Sequence, residues 1–271
     1  MKGRKKLGCA PSSLIIAKLF RAPYGGVKFQ GKYMRNLIVI IFLLIVAGCA
    51  SVPANYGKPL KGSKVGIVLL IDQTPSHQHV GTTIFQNSNS NGVSKENFHK
   101  KFELKISELL AEGGHIVVPI SASSFLIENR EDLFSYASSN IHFKQENKLE
   151  LQKLAQENSL DYVILVYPTP GPAWPNSSAY LSGYGLYTKC SFGTCNAYAL
   201  DYIDARIYDV KNNSSLKPMN SRFFTQEEMP SIIVPDKPES IADSEINVAA
   251  EKALENFMKL FKDMVSTSEF I

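Results

Sequence analysis

The sequence predicts an α+β (α/β) fold: a single domain with a mixed β-sheet, helices packed on it, and a long antiparallel hairpin. Three observations predict this. Apolar, β-branched runs at 64–72, 115–120 and 161–168 alternate with stretches of helical periodicity. Two runs of strand character, 179–189 and 196–210, are separated by a short turn. An amphipathic stretch from Ile246 to Met264 ends the chain, and no second apolar core follows a clear linker.

Taken in order, "KVGIVLLID" (Lys64–Asp72) is continuous and β-branched, as in a strand buried on both faces. Gln73–Val93 reads as a long polar loop with a short extended piece at Thr82–Phe85. Ser94 is the expected N-cap of a helix carrying Phe98, Phe102, Ile106, Leu109 and Leu110, stopped by Gly113-Gly114. "HIVVPI" (115–120) is a second strand. Strand–helix–strand order implies a right-handed crossover and parallel pairing. A short helix is expected at Asn129–Ala137 and a longer one at Lys148–Asn158, followed by the strand "DYVILVYP".

"TPGPAWPNS" holds three prolines around the only tryptophan and reads as irregular surface chain. In 196–210, Ile203, Ala205 and Ile207 alternate with Tyr202, Asp204, Arg206 and Tyr208, so one covered and one wetter face are expected. A turn at 211–215, a strand at Ser221–Thr225 and an irregular proline-rich segment at 229–238 precede the last helix. That helix is expected to begin after Ser240 or Asp243.

The leader decides the address. Residues 1–48 carry nine Lys/Arg and no Asp or Glu. The chain's formal charge of +4 therefore belongs to them, and the rest has 20 basic against 25 acidic residues, a net of −5. A nucleic-acid partner has no electrostatic footprint on that body. "LIVIIFLLIV" (37–46) follows Met34-Arg35 and leads to Ala47-Gly48-Cys49. A charged start, a short apolar core and small residues at the end are the parts of a secretory signal peptide. Leu37–Ala50 gives 14 residues, against about 20 for a spanning helix. A cysteine buried in an N-terminal helix is the bland alternative for Cys49.

Val46-Ala47-Gly48-Cys49 resembles the lipobox of bacterial lipoproteins. The resemblance implies that Cys49 is lipidated (diacylglycerol, then palmitate-type acylation) and becomes the first residue. Ala50 after it implies sorting to the outer membrane, with the domain facing the periplasm. Residues 1–33 are then expected to be a mis-called upstream extension, 34–48 the signal peptide, 49–63 a flexible tether and 64–271 a periplasmic α/β domain. "LQKLAQENSLDYVILV" (151–166) resembles the TolB amino-terminal domain-like periplasmic fold. "QHVGTTIFQN" and "GYGLY" resemble stretches of bacterial envelope lipoproteins. These resemblances imply a fold and an envelope role, with no activity attached.

Cys190 and Cys195 bracket "SFGT" between the hairpin strands, close enough in register for a disulfide in an oxidising compartment. Metal and redox readings are weighed against it. Zinc lacks further ligands nearby, and the C-x-x-C helix-start arrangement is missing. His77 and His79 share a face at i, i+2 in the loop after the first strand, with Asp72 near in sequence. They are the weak candidates for a metal or hydrolytic centre, against simple solvent exposure or turn bonding. No G-x-S-x-G, H-E-x-x-H or P-loop occurs, and Gly183-Tyr184-Gly185 reads as strand glycines permitting close packing.

Tyr180, Tyr184, Tyr187, Tyr198, Tyr202 and Tyr208 gather on the hairpin. They are either sheet packing or a binding face, since tyrosine is enriched at interfaces. The expected contact set is Tyr184, Phe192, Tyr202 and Tyr208. The sequence thus points to a non-enzymatic, cofactor-free binding or assembly module. Its expected partners are the membrane, through acyl chains on Cys49, and an envelope protein or peptidoglycan. A metal-binding or hydrolytic domain at His77/His79 is one alternative. An oligomeric, secretion-pore-like component resembling the curli-secretion lipoproteins is the other.

Overall fold

The computed structural model describes residues 59–271, apart from 84–85, 93, 95, 138–139, 220–225, 236 and 238–239. Every described residue lies within the unit Tyr56–Ile271. The lipobox with Cys49, the segments 1–33 and 34–48, most of the tether, part of the 82–85 piece and the strand expected at 221–225 lie outside the described residues.

The mixed sheet is organised by one long strand. β11 (Thr194–Asp209) spans 16 residues. Its first half pairs antiparallel with β10 (Gly183–Ser191), from Ser191↔Thr194 to Gly183↔Tyr202. Its second half pairs antiparallel with β7 (Tyr162–Pro168), from Ile203↔Pro168 to Asp209↔Tyr162. β12 (Ser214–Pro218) takes the other edge of that second half. Beyond β7 lie β1 (Lys64–Leu69) and β4 (Ile116–Ile120), all parallel. Beyond β10 lie β2 (Ser76–Val80), parallel to it, and β3 (Ser88–Asn91), antiparallel to β2. The expected parallel core and long hairpin are therefore parts of one sheet, joined through β11.

Two layers of helices cover it. α1 (Phe98–Glu112) and α4 (Asp243–Thr267) bury their apolar stripes on one face: Phe98, Phe102 and Ile106 meet Leu254, Phe257 and Phe261 over Val65, Ile67, Ile203, Ala205 and Ile207. α2 (Ser124–Glu128) and α3 (Gln145–Glu157) cover the other, where Leu126, Leu151 and Ala155 pack with Val68, Val163, Leu165 and Tyr208. Both faces of β1 and β7 are thus dry, as their unbroken apolar runs require. Asp161 fixes the register at the start of β7 by accepting a hydrogen bond from the Lys64 N–H at 2.8 Å.

Several expectations are corrected. The polar loop 73–93 contains β2, whose polar side chains are buried and bonded inside the sheet, and β3, an exposed edge strand. Ser182 N–H donates to Gln78 Oε1 at 3.2 Å, for example. The helix expected at 129–137 is instead α2 before it and β5 (Phe134–Ala137), which pairs with β6 (Asn140–Phe143). The N-cap of α1 is Asn97, whose side chain accepts from the Lys100 N–H, while Ser94 accepts from Glu96. α4 begins after Ala242 without a side-chain cap. Within "TPGPAWPNS", β8 (Gly171–Pro172) pairs with β9 (Tyr180–Leu181) to form a small flap. The wetter face of β11 is dry, because that flap and α3 cover Tyr202 and Tyr208.

Candidate functional site: the hairpin and the histidine pair

Cys190 and Cys195 are register partners on β10 and β11 and form a disulfide, with Cα atoms 4.1 Å apart. The turn beyond them is tighter than "SFGT" suggests. Ser191 still pairs with Thr194, leaving Phe192 and Gly193 as a two-residue loop. Both have positive φ, +49° and +84°, as a type I′ turn demands. The disulfide closes a loop too small to gain much chain entropy. It sits next to the turn and staples the strands where no helix holds them.

Phe192 is 93% exposed. The tyrosines expected beside it are not on the surface, which is a correction to the expected contact set. Tyr184 is 1% exposed, its ring edge-on to Phe102 and its hydroxyl donating to the Asp72 carbonyl at 3.0 Å. Tyr202 is 2% exposed and donates to the Pro172 carbonyl at 2.6 Å. Tyr208 packs among Leu151, Leu165 and Phe134, with its hydroxyl on Asn213. Apolar helices and the β8–β9 flap claim these rings. Of the four expected contact residues only Phe192 is available, and Tyr180 on β9 is the exposed tyrosine of the six.

His77 and His79 do share a face, but on strand β2 rather than in a loop, and both are buried. They converge on one group. His77 Nε2 and His79 Nδ1 each lie 2.8 Å from Thr188 Oγ1 on β10. One hydroxyl has one proton, so with neutral rings it donates to one ring nitrogen and accepts from the N–H of the other. Burial, then the neighbouring His79, lowers the His77 pKa to about 4. Asp72, considered as a third ligand, instead pairs with Arg130 at 2.7 Å. Among the described residues no three His, Cys, Asp or Glu side chains are grouped as a metal would need. The geometry makes the pair a tie between β2 and β10.

That tie depends on Gly185. At φ +133°, a Cβ there would come within 2.1 Å of the Ser76 carbonyl oxygen. The glycine lets β2 lie against β10, as the "GYG" reading anticipates in kind.

Two carboxylates on β11 are held away from water: Asp201, which sequence reading passed over, and Asp204, which it placed on the wetter face. Asp201 is half-buried, but its Oδ1 is shut off from water without a hydrogen-bond partner, and burial pushes its pKa up to about 7. Asp204 accepts from the Tyr167 hydroxyl at 3.0 Å, which in turn accepts from Arg206 Nε at 3.1 Å, while the Arg206 guanidinium lies over the Phe134 ring. Burial raises the Asp204 pKa to about 6 against these partners. Alternation alone assigns Asp204 and Arg206 to solvent, while Asp201 falls on the covered face of Ile203 and Ala205, where a carboxylate is itself the available signal.

No protein-family model and no curated protein matches the chain. Among solved structures it is similar to the crystal structure of Lipoprotein GNA1162 from Neisseria meningitidis, at 14% identity over 57% of this chain and 78% of that one, with a TM-score of 0.24. A score that low does not establish a shared fold. Among the described residues no helix is long and apolar enough to cross a membrane.

Proposed function

We propose that the chain is a lipid-anchored bacterial envelope lipoprotein whose domain acts as a non-catalytic binding or assembly module. The observation that carries this reading is the apolar leader ending in Val46-Ala47-Gly48-Cys49, directly before an acidic body. The Cys190–Cys195 disulfide supports it, since such bonds persist in oxidising compartments. Ala50 supports outer-membrane sorting, and in this reading the domain faces the periplasm. A single acyl chain anchors only marginally, whereas three on one residue hold firmly. In this reading the module's partner is an envelope protein or peptidoglycan.

Metabolic labelling with palmitate tests the anchor. Wild type takes the label and fractionates with membranes, and Cys49→Ser does neither. An unlabelled wild-type protein ends the lipoprotein reading. The module is tested by in-cell cross-linking from the exposed domain surface; recovery of no envelope protein or peptidoglycan fragment above the Cys49→Ser background ends the assembly reading.

A further inference from the structure

The far end of the hairpin has a composition that the rest of the domain lacks. Between Asp161 and Asp201 the chain carries no carboxylate, and its one charged residue is Lys189. This stretch supplies β7, the flap and all of β10, together with the turn and the first half of β11. Two exposed or partly exposed apolar groups lie towards that end. Phe192 forms the turn. Trp174, from the flap, lies under the Lys189 ammonium, 4.2 Å from its ring centre. The nearest carboxylates pairing along β11, Glu227 and Glu228, meet Ala199 and Tyr198, several residues back from the turn.

Phe192 also stands against local preference. A type I′ turn favours Asn-Gly, because Asn tolerates positive φ and a bulky aromatic does not. A strained backbone bearing an exposed aromatic, stapled by a disulfide, is retained where the side chain itself has a use.

We propose that this tip is a membrane-interface wedge: Phe192 enters the acyl boundary of a phospholipid bilayer, with Trp174 and Lys189 at headgroup level. Aromatic rings with a polar edge collect at that depth, and a lysine beside them meets lipid phosphate. Charge supports a bilayer over a protein pocket, since the strands and turn that build the tip carry Lys189 and no carboxylate to repel anionic lipid. The tip lies beyond the end of β7, at the opposite end of the sheet from Lys64, where no described helix or strand of the domain covers Phe192. The wedge thereby deepens the proposed lipoprotein reading but has a separate readout.

Trp174 is the only tryptophan and reports on the tip directly. The full chain is reconstituted in vesicles of phosphatidylethanolamine with a minor fraction of phosphatidylglycerol, with and without brominated phosphatidylcholine. The wild type should show Trp174 emission shifted to the blue and quenched by bromine. Phe192→Asn suits the turn better, so its fold is kept. It should lose most of the quenching, and melting should show the fold intact. Unquenched wild type, or equal quenching in the variant, overturns the wedge; a tip that cross-links to protein while staying unquenched assigns it to a protein partner instead. Flotation of Cys49→Ser with the same vesicles reads the anchor independently.

Discussion

Asp201→Asn isolates the cost of one buried carboxyl. In the unfolded chain Asp201 ionises near its ordinary value of 3.8, and in the folded domain near 7. Below about pH 4 both states are protonated and folding costs nothing extra. Between about 4 and 7 the folded state holds a proton that the unfolded state has released, so stability falls as pH rises, and the whole penalty is present above 7. Three pH units correspond to roughly 4 kcal/mol as a ceiling. The side chain is only half-buried, so partial screening leaves about 1–2 kcal/mol. Asparagine keeps the shape and never ionises. Thermal unfolding followed by circular dichroism should therefore show the variant melting about 2–8 °C above wild type near pH 8. Near pH 4 it should be level with or slightly below wild type. The same shift at both pH values, or a less stable variant near pH 8, would refute the orphaned-carboxylate account. Asp204 also titrates in this window, but it does so in both proteins and cancels.

Other outcomes follow from the same geometry. His77 is held neutral with a depressed pKa, so its contribution is intact above about 6.5 and is lost as pH falls towards 4, at a cost of up to about 3 kcal/mol; His77→Gln should flatten that acid limb of a stability-against-pH curve. Thr188→Val leaves two buried imidazoles without their shared hydroxyl and should cost about 1–3 kcal/mol, read as a lowered denaturant midpoint. Gly185→Ala forces β2 off β10, and hydrogen exchange should show the Ser76–Val80 amides losing protection while those of β1 and β7 keep theirs. Phe192→Asn should stabilise the hairpin by about 0.5–1 kcal/mol, measured by chemical unfolding, because the turn geometry no longer opposes the side chain.

What was legible in the sequence was whatever announced itself through apolar periodicity. Phe98, Phe102 and Ile106 on α1, and Ile246 to Met264 on α4, mark helices whose buried stripes are continuous. The runs in β1 and β7 mark strands covered on both sides, and the spacing of Cys190 and Cys195 fixed the hairpin register. β2 was hidden because it is buried and polar: Ser76, His77, Gln78 and His79 satisfy one another and β10, and hydropathy cannot see a bond to a partner over 100 residues away. The tyrosine face failed for a related reason. Tyr202 and Tyr208 alternate with apolar residues as surface groups would, but their hydroxyls reach Pro172 and Asn213 while their rings fill the core. Phe192 was readable because it stands between Cys190 and Cys195, at a hairpin end with nothing to pack against.

The shared strand β11 has a mechanical consequence. Tension applied between Lys64 and Phe192 runs along β1, across to β7, and on into β11. These strands lie side by side, so the force slides them past one another instead of peeling them apart. Sliding strains the ladder from Val65↔Tyr162 to Leu69↔Val166, and the one from Ile203↔Pro168 to Asp209↔Tyr162, with all their hydrogen bonds resisting together. The domain is thus built as a stiff strut along this axis, and it should unzip far more readily when pulled from the β3 or β4 edge.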